Sequence, residues 1–130
     1  TVIMISIGSD LMDIRRIEKT LNRFGNKFKN RIFTQKEIEK CERRKESAAC
    51  YAKRFAAKEA AAKALGTGFR KGVFWKDLEV NNFPSGEPTV IFHGKSRQHL
   101  NRLISGSESN IKLTITDEYP YAQAIVIIDG

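Results

Sequence analysis

Residues 2–8 are apolar, loosely alternating and rich in β-branched side chains, which predicts a strand. Leu11, Ile14, Ile17 and Leu21 then recur at three- and four-residue steps, the period of a helix with this stripe inward. Arg16, Lys19, Arg23 and Lys27 fall toward the other side, and Gly25-Asn26 closes or interrupts the helix. Thr34 followed by Glu37 is a capping box, in which each side chain bonds the other's backbone N–H. It predicts a helix to about Arg44. Ser47 to Leu65 holds nine alanines and no Gly or Pro, so a long helix is expected there, with Gly66 as its stop. After Gly72 the period changes to two. Asp77 to Asn81 and Thr89 to His93 read as strands around a Phe83–Pro88 turn. Lys95 to Ile104 reads as a short amphipathic helix, with Leu100, Leu103 and Ile104 inward. Ile111 to Thr116, a turn at Asp117 to Pro120, and Ala122 to Ile128 make a last hairpin. The order is strand, three helices, hairpin, helix, hairpin. Helices and hairpins cluster rather than alternate, which predicts an α+β fold with an antiparallel sheet.

The chain has 130 residues, the length of one domain, 1–130, without repeat or linker. Its hydrophobic content of 41% with eight Phe, three Tyr and one Trp argues for a folded core. No run approaches the roughly 18 apolar residues of a membrane span. The apolar N-terminus is short, has no basic flank before it and meets charges at once, so a signal peptide is not expected. Cys41 and Cys50 form no CxxC and have no nearby His, and the expectation is two half-buried thiols in a reducing cytosol. His93 and His99 are read as structural. Charge does change the picture. Between Arg15 and Arg31 lie seven basic residues against Glu18 alone, +6 of a net +8. Such a field speeds encounter with an anionic partner and weakens with salt.

Three residues have the chemistry for a site. Asp10 follows the first strand, Glu59 lies within the Ala-rich helix, and Lys63 stands one turn further on the same face. By spacing alone, Asp10 reads as a helix N-cap and Glu59–Lys63 as an exposed ion pair. Gly66-Thr-Gly68-Phe-Arg-Lys-Gly72 is a basic, glycine-rich loop able to bring backbone N–H groups near phosphate, but without the Gly-Lys-Ser/Thr of a Walker motif.

The wording of two segments goes further. Ile7-Gly8-Ser9-Asp10-Leu11-Met12-Asp13-Ile14-Arg15-Arg16-Ile17 resembles the first signature of the holo-(acyl-carrier-protein) synthases, the small 4′-phosphopantetheinyl transferases. Arg54-Phe55-Ala56-Ala57-Lys58-Glu59-Ala60-Ala61-Ala62-Lys63-Ala64-Leu65-Gly66 resembles the second, some fifty residues on. Trp75-Lys-Asp77-Leu-Glu79-Val and Gly86-x-Pro88 fit the family's hairpin. The resemblance covers essentially the whole chain. It implies the family's fold, an antiparallel sheet packed against a long helix and shorter ones.

It also implies that Asp10 and Glu59 hold Mg²⁺, an ion that takes one or two carboxylates, waters and substrate phosphates. Small alanines at 56, 57, 60 and 61 would let the end of the first strand approach the helix. Coenzyme A is the implied substrate. Lys63 faces phosphate, and Lys58, about 100° round the helix, reaches phosphate or stays in solvent. Gly66, Gly68, Gly86, Pro88 and Thr116 line the nucleotide. The implied reaction is attack by a serine of apo acyl carrier protein on the β-phosphorus, releasing adenosine 3′,5′-bisphosphate, in support of fatty acid biosynthesis. Glu59, or a metal-bound water beside Asp10, takes the proton. Many relatives carry Ser-x-Ser-His late in the chain; here the stretch is Thr114-Ile-Thr116-Asp117. An Asp cannot donate to phosphate, so a phosphate role for Asp117 is not expected, and Thr hydroxyls or a Lys substitute.

The basic stripe gains a partner in the same way. Arg16 and Arg23 would grip acidic residues of the carrier, with Phe24 or Phe28 as apolar anchors. The family further implies a homotrimer with sites between subunits, and a cytoplasmic location. A small RNA-binding domain competes for the charge, but there is no RNP-like aromatic strand or KH-type loop, and no nucleic acid is expected. A non-catalytic carrier-docking module is a third reading.

Overall fold

The structure, a computed structural model, describes residues 5–104 and 110–130; Val2 to Met4 of the expected first strand lie outside them. Strand β1 (Ile5–Asp13) is followed by helices α1 (Ile14–Phe24), α2 (Asn26–Ile32), α3 (Gln35–Glu42) and α4 (Ser47–Leu65). A 3₁₀ turn, Trp75–Asp77, leads into the hairpin β2 (Leu78–Asn82) and β3 (Pro88–Phe92). Helix α5 (Gly94–Leu103) and the hairpin β4 (Asn110–Glu118) and β5 (Tyr121–Asp129) complete the α+β order.

The antiparallel strands form two sheets, β1-β5-β4 and the separate pair β2-β3. β5 offers β1 a nine-residue partner, Ile5 opposite Asp129 through Asp13 opposite Tyr121. This ladder corrects three expectations. The strand does not end at Gly8-Ser9. Asp10 is not a helix cap; that role belongs to Asp13, whose carboxylate accepts from the Arg15 backbone N–H at 3.0 Å. Leu11 points outward from the strand rather than inward from a helix, and is 61% exposed. Strand alternation overrides the helical period that Leu11 shares with Ile14.

Helix α4 is the centre of the molecule. Its alanines 52, 56, 57, 60, 61, 62 and 64 are buried, with the inner face of the sheet against one side. Ala122, Ala124, Val126 and Ile128 of β5 face it, as do Leu113 of β4 and Met12 of β1. The helix closes at Gly66, left-handed at φ 82°. The capping box forms as expected, Thr34 N–H to Glu37 Oε1 at 2.8 Å and Glu37 N–H to Thr34 Oγ1 at 3.3 Å. At Gly25 (φ 54°) the chain turns into the extra helix α2, so Gly25-Asn26 interrupts rather than ends the helical run.

Lys58 and the two cysteines depart from expectation because of neighbours that only the folded chain supplies. Lys58 reaches neither phosphate nor solvent. It is fully buried, 2.8 Å from Glu37 Oε1, and donates to the carbonyls of Trp75 (3.0 Å) and Leu78 (2.6 Å). Cys41 and Cys50 are not separate thiols but a buried disulfide with Cα atoms 5.4 Å apart. The short connection between α3 and α4 sets the two helices side by side, so residues nine apart face one another.

Candidate active site

On the inner face of β1, Gly8 lies against α4. Any Cβ there would collide with the Ala60 carbonyl oxygen and stand 2.6 Å from Ala64 N. Ser6 Oγ donates to the Ala64 carbonyl at 2.5 Å. This absence of a side chain brings Asp10, two residues on, to the face of α4 that carries Glu59 and Lys63. The Lys63 ammonium donates to the Ser9 carbonyl at 2.9 Å and lies 3.4 Å from Asp10 Oδ1. Lys63 therefore pairs with Asp10, not along its own helix with Glu59.

The two carboxylates share a half-buried setting. Burial raises the Asp10 pKa above its ordinary value, against the opposing charges of Lys63 and Arg16. Burial also raises that of Glu59, and the Asp10 charge raises it further. Asp10 Oδ2 is buried with no hydrogen-bond partner. Two mutually repelling carboxylates with an orphaned oxygen suit a small divalent cation. Among the described residues, no third His, Cys, Asp or Glu joins them, so water and a phosphate ligand would complete its coordination.

The glycine loop begins at the end of α4, one turn past Lys63. Gly66 N–H donates to the Lys63 carbonyl and Gly68 N–H to that of Ala62, and space is open beside both glycines. Gly86, Pro88 and Thr116 lie elsewhere in the chain. Thr116 points from the outer face of the sheet, two strands from Asp10, and Gly86 (φ 95°) sits in the β2–β3 turn. Pro88 lines a shallow pocket of about 480 Å³ with Lys112, Thr114, Ile125 and Ile127. A single chain does not bring these three to the carboxylates.

On α1, Arg16 and Arg23 are exposed, with the Arg23 guanidinium 5.1 Å from the centre of the Phe24 ring. Phe24 and Phe28 form an apolar groove of about 460 Å³ with Phe55 and Trp75, rimmed by Lys27 and Arg31. A second feature escaped the sequence reading. Arg44, Lys45, Lys53 and Arg54 converge on a pocket of about 640 Å³, where Asp117 pairs with Lys53 at 3.8 Å. The signal was present as basic residues at 43–45 and 53–54, but seven residues, Glu46 to Ala52, separate the two groups along the chain.

The fold and the carboxylate pair define a class: the chain belongs to the 4′-phosphopantetheinyl transferase superfamily, whose family model matches residues 6–124. Within that class it is similar to the holo-(acyl-carrier-protein) synthases. The enzyme of that name from Methylorubrum extorquens is 56% identical over 128 residues, 98% of this chain and 94% of the relative. The crystal structure of the Neisseria meningitidis synthase superposes with a TM-score of 0.84 at 31% identity, covering 98% of this chain and all of that one. The Helicobacter pylori synthase in complex with coenzyme A superposes at 0.77 with 29% identity, covering 94% and 98%.

Proposed function

We propose that this chain, as one domain over 1–130, transfers 4′-phosphopantetheine from coenzyme A to a serine of apo acyl carrier protein, releasing adenosine 3′,5′-bisphosphate. The observation that carries it is the convergence of Asp10 and Glu59 beside Lys63, with one carboxylate oxygen buried and unpartnered. Asp10 and Glu59 hold Mg²⁺, which when bound neutralises charge on the diphosphate. Lys63 donates to a phosphate oxygen, exchanging part of its contact with Ser9 and Asp10 for it. Gly66 and Gly68 let the loop backbone lie close along the nucleotide. With both carboxylates committed to a cation, the serine proton leaves to water rather than to Asp10 or Glu59. The enzyme itself needs no nucleophile.

The carrier docks on α1. Arg16 and Arg23 meet its acidic residues, and Phe24 and Phe28 offer the apolar groove. Rim charges of this kind govern mainly association rate and its salt dependence. We also propose a homotrimer. Ile5, Ile7 and Leu11 on the outer sheet face are 67%, 64% and 61% exposed, and Ile127 opposes Ile7. Association would cover this face and carry the Gly86, Pro88 and Thr116 region of one subunit to the carboxylates of the next. The proposed setting is the cytoplasm, in fatty acid biosynthesis; the Cys41–Cys50 bridge is unusual for that compartment. No helix among the described residues is long and apolar enough to cross a membrane.

The test is intact-mass analysis of an apo carrier protein incubated with this chain, coenzyme A and Mg²⁺. The carrier should gain one phosphopantetheine, and should gain none with Asp10→Asn or Glu59→Gln, or with chelator. An unmodified carrier with folded wild-type enzyme rejects the assignment.

A further inference from the structure

The glycine loop is tied to the body on either side of its middle: Gly68 N–H donates to the Ala62 carbonyl at 3.1 Å, His99 Nε2 lies 3.0 Å from the Lys71 carbonyl, and Val73 is buried. Gly66, Gly68, Lys71 and Gly72 all have positive φ, and between these ties the side chain that packs inward is Phe69. The Phe69 ring stacks on Trp75 with centroids 3.7 Å apart and planes 18° from parallel. Trp75 in turn lies 4.7 Å from Phe55, and Phe55 stacks at 6.3 Å on Phe28. Behind it, the Trp75 carbonyl accepts from the buried Lys58 ammonium at 3.0 Å. Trp75 is thus fixed by the core on its backbone side and offers its indole to the loop. The same indole lines the aromatic groove with Phe24, Phe28 and Phe55.

We propose that Phe69 is a positioning residue for coenzyme A: by stacking on Trp75 it holds the glycine loop in the shape that receives the nucleotide. This rests on the transferase reading above, and goes beyond it by giving the placement of the loop's middle, between its backbone ties, to one aromatic contact. The physical reason is entropic. A loop with several glycines loses much backbone freedom when it closes on a ligand, and an anchor at its centre removes part of that loss beforehand. Phe69 touches no reacting atom, so its removal weakens substrate capture and leaves the chemical step alone. Trp75 serves two surfaces, so its removal disturbs both substrates.

The experiment is steady-state kinetics with the carrier and coenzyme A varied separately, together with calorimetry of coenzyme A binding in Mg²⁺. Phe69→Ala should raise KM for coenzyme A about two- to tenfold, the range of one aromatic stack, with kcat, carrier KM and melting temperature near wild type. Phe69→Tyr, which keeps the stack, should restore wild-type behaviour. Trp75→Ala should raise both KM values. Trp75 is the only tryptophan of the chain, so its emission reports on the loop. Coenzyme A should shift that emission in the wild type and not in Phe69→Ala. A Phe69→Ala enzyme that binds coenzyme A as the wild type does overturns the proposal, and so does a rise in both KM values with a lowered melting temperature. Failure of the wild type itself to bind coenzyme A would instead strike the transferase assignment.

Discussion

Replacing Gly8 by alanine tests how β1 and α4 build the site. The added methyl group would collide with the Ala60 carbonyl and stand 2.6 Å from Ala64 N and 3.0 Å from Lys63 Cβ. Ordinary contact begins near 3.4 Å, so the strand and helix must separate by roughly 1 Å. The obstacles are mainly helix backbone, which no rotamer change can move. Gly8 is not among the residues of positive φ, so its backbone conformation admits alanine and the effect is purely steric. Overpacking of this kind costs about 1–3 kcal/mol, against a total stability of about 5–15 kcal/mol. The fold should survive. Activity should not survive equally well, because Asp10 moves with β1 while Glu59 and Lys63 stay with α4. A misplacement of about 1 Å in a catalytic constellation costs on the order of 10²-fold. Urea melts followed by circular dichroism read the first quantity and intact-mass kinetics on apo carrier the second. Trimming Ala60 to Gly in the same chain should rescue nothing, since the collision is with a carbonyl that remains. Wild-type turnover in Gly8→Ala, or recovery on adding Ala60→Gly, would refute the reasoning.

Four further outcomes are expected. Asp10 and Glu59 have raised pKa values in the fold, so the folded state binds more protons than the unfolded chain just above the ordinary carboxylate range. Metal-free stability should therefore fall as pH rises from that range through the raised values, and then level off. Mg²⁺ should raise the melting temperature most at neutral pH, and scans of Asp10→Asn/Glu59→Gln should lack both effects. Lys58→Met leaves the Glu37 carboxylate buried without its cation and should cost about 3–5 kcal/mol in urea denaturation, part of it returned by adding Glu37→Gln; a loss under about 1 kcal/mol would mean that the pair does little. Arg16→Glu should raise KM for the carrier far more than for coenzyme A and flatten its salt dependence; equal changes in the two KM values would remove the docking face from α1. Cys41 and Cys50 should resist alkylation in denaturant until a reductant is added, as mass spectrometry would read directly.

Much of this was legible in the chain because much of it is local. The nine alanines of α4, the Thr34–Glu37 capping box, the Gly66 stop and the β2–β3 turn each act within a few residues, and the structure has each of them. The Asp10 and Glu59 signatures were readable as wording, though spacing alone left Asp10 as a helix cap and Glu59 as half of a surface ion pair. Lys58 was read wrongly for a plain reason. A lysine on an Ala-rich helix looks solvent-exposed until Glu37 and the carbonyls of Trp75 and Leu78 arrive from elsewhere to bury it.

By itself, then, the sequence determined the elements, most of their ends and the kinds of side chain available for chemistry, since propensity, capping and turn geometry are short-range. Tertiary structure alone decided where those side chains go. β5 drew β1 out to Asp13, turned Leu11 outward and Asp10 inward; Gly8 let that strand touch α4; the α3–α4 connection joined two cysteines. Each of these depends on a partner dozens of residues away or on the path of a turn, and the energy of such contacts exists only once the chain has folded to make them.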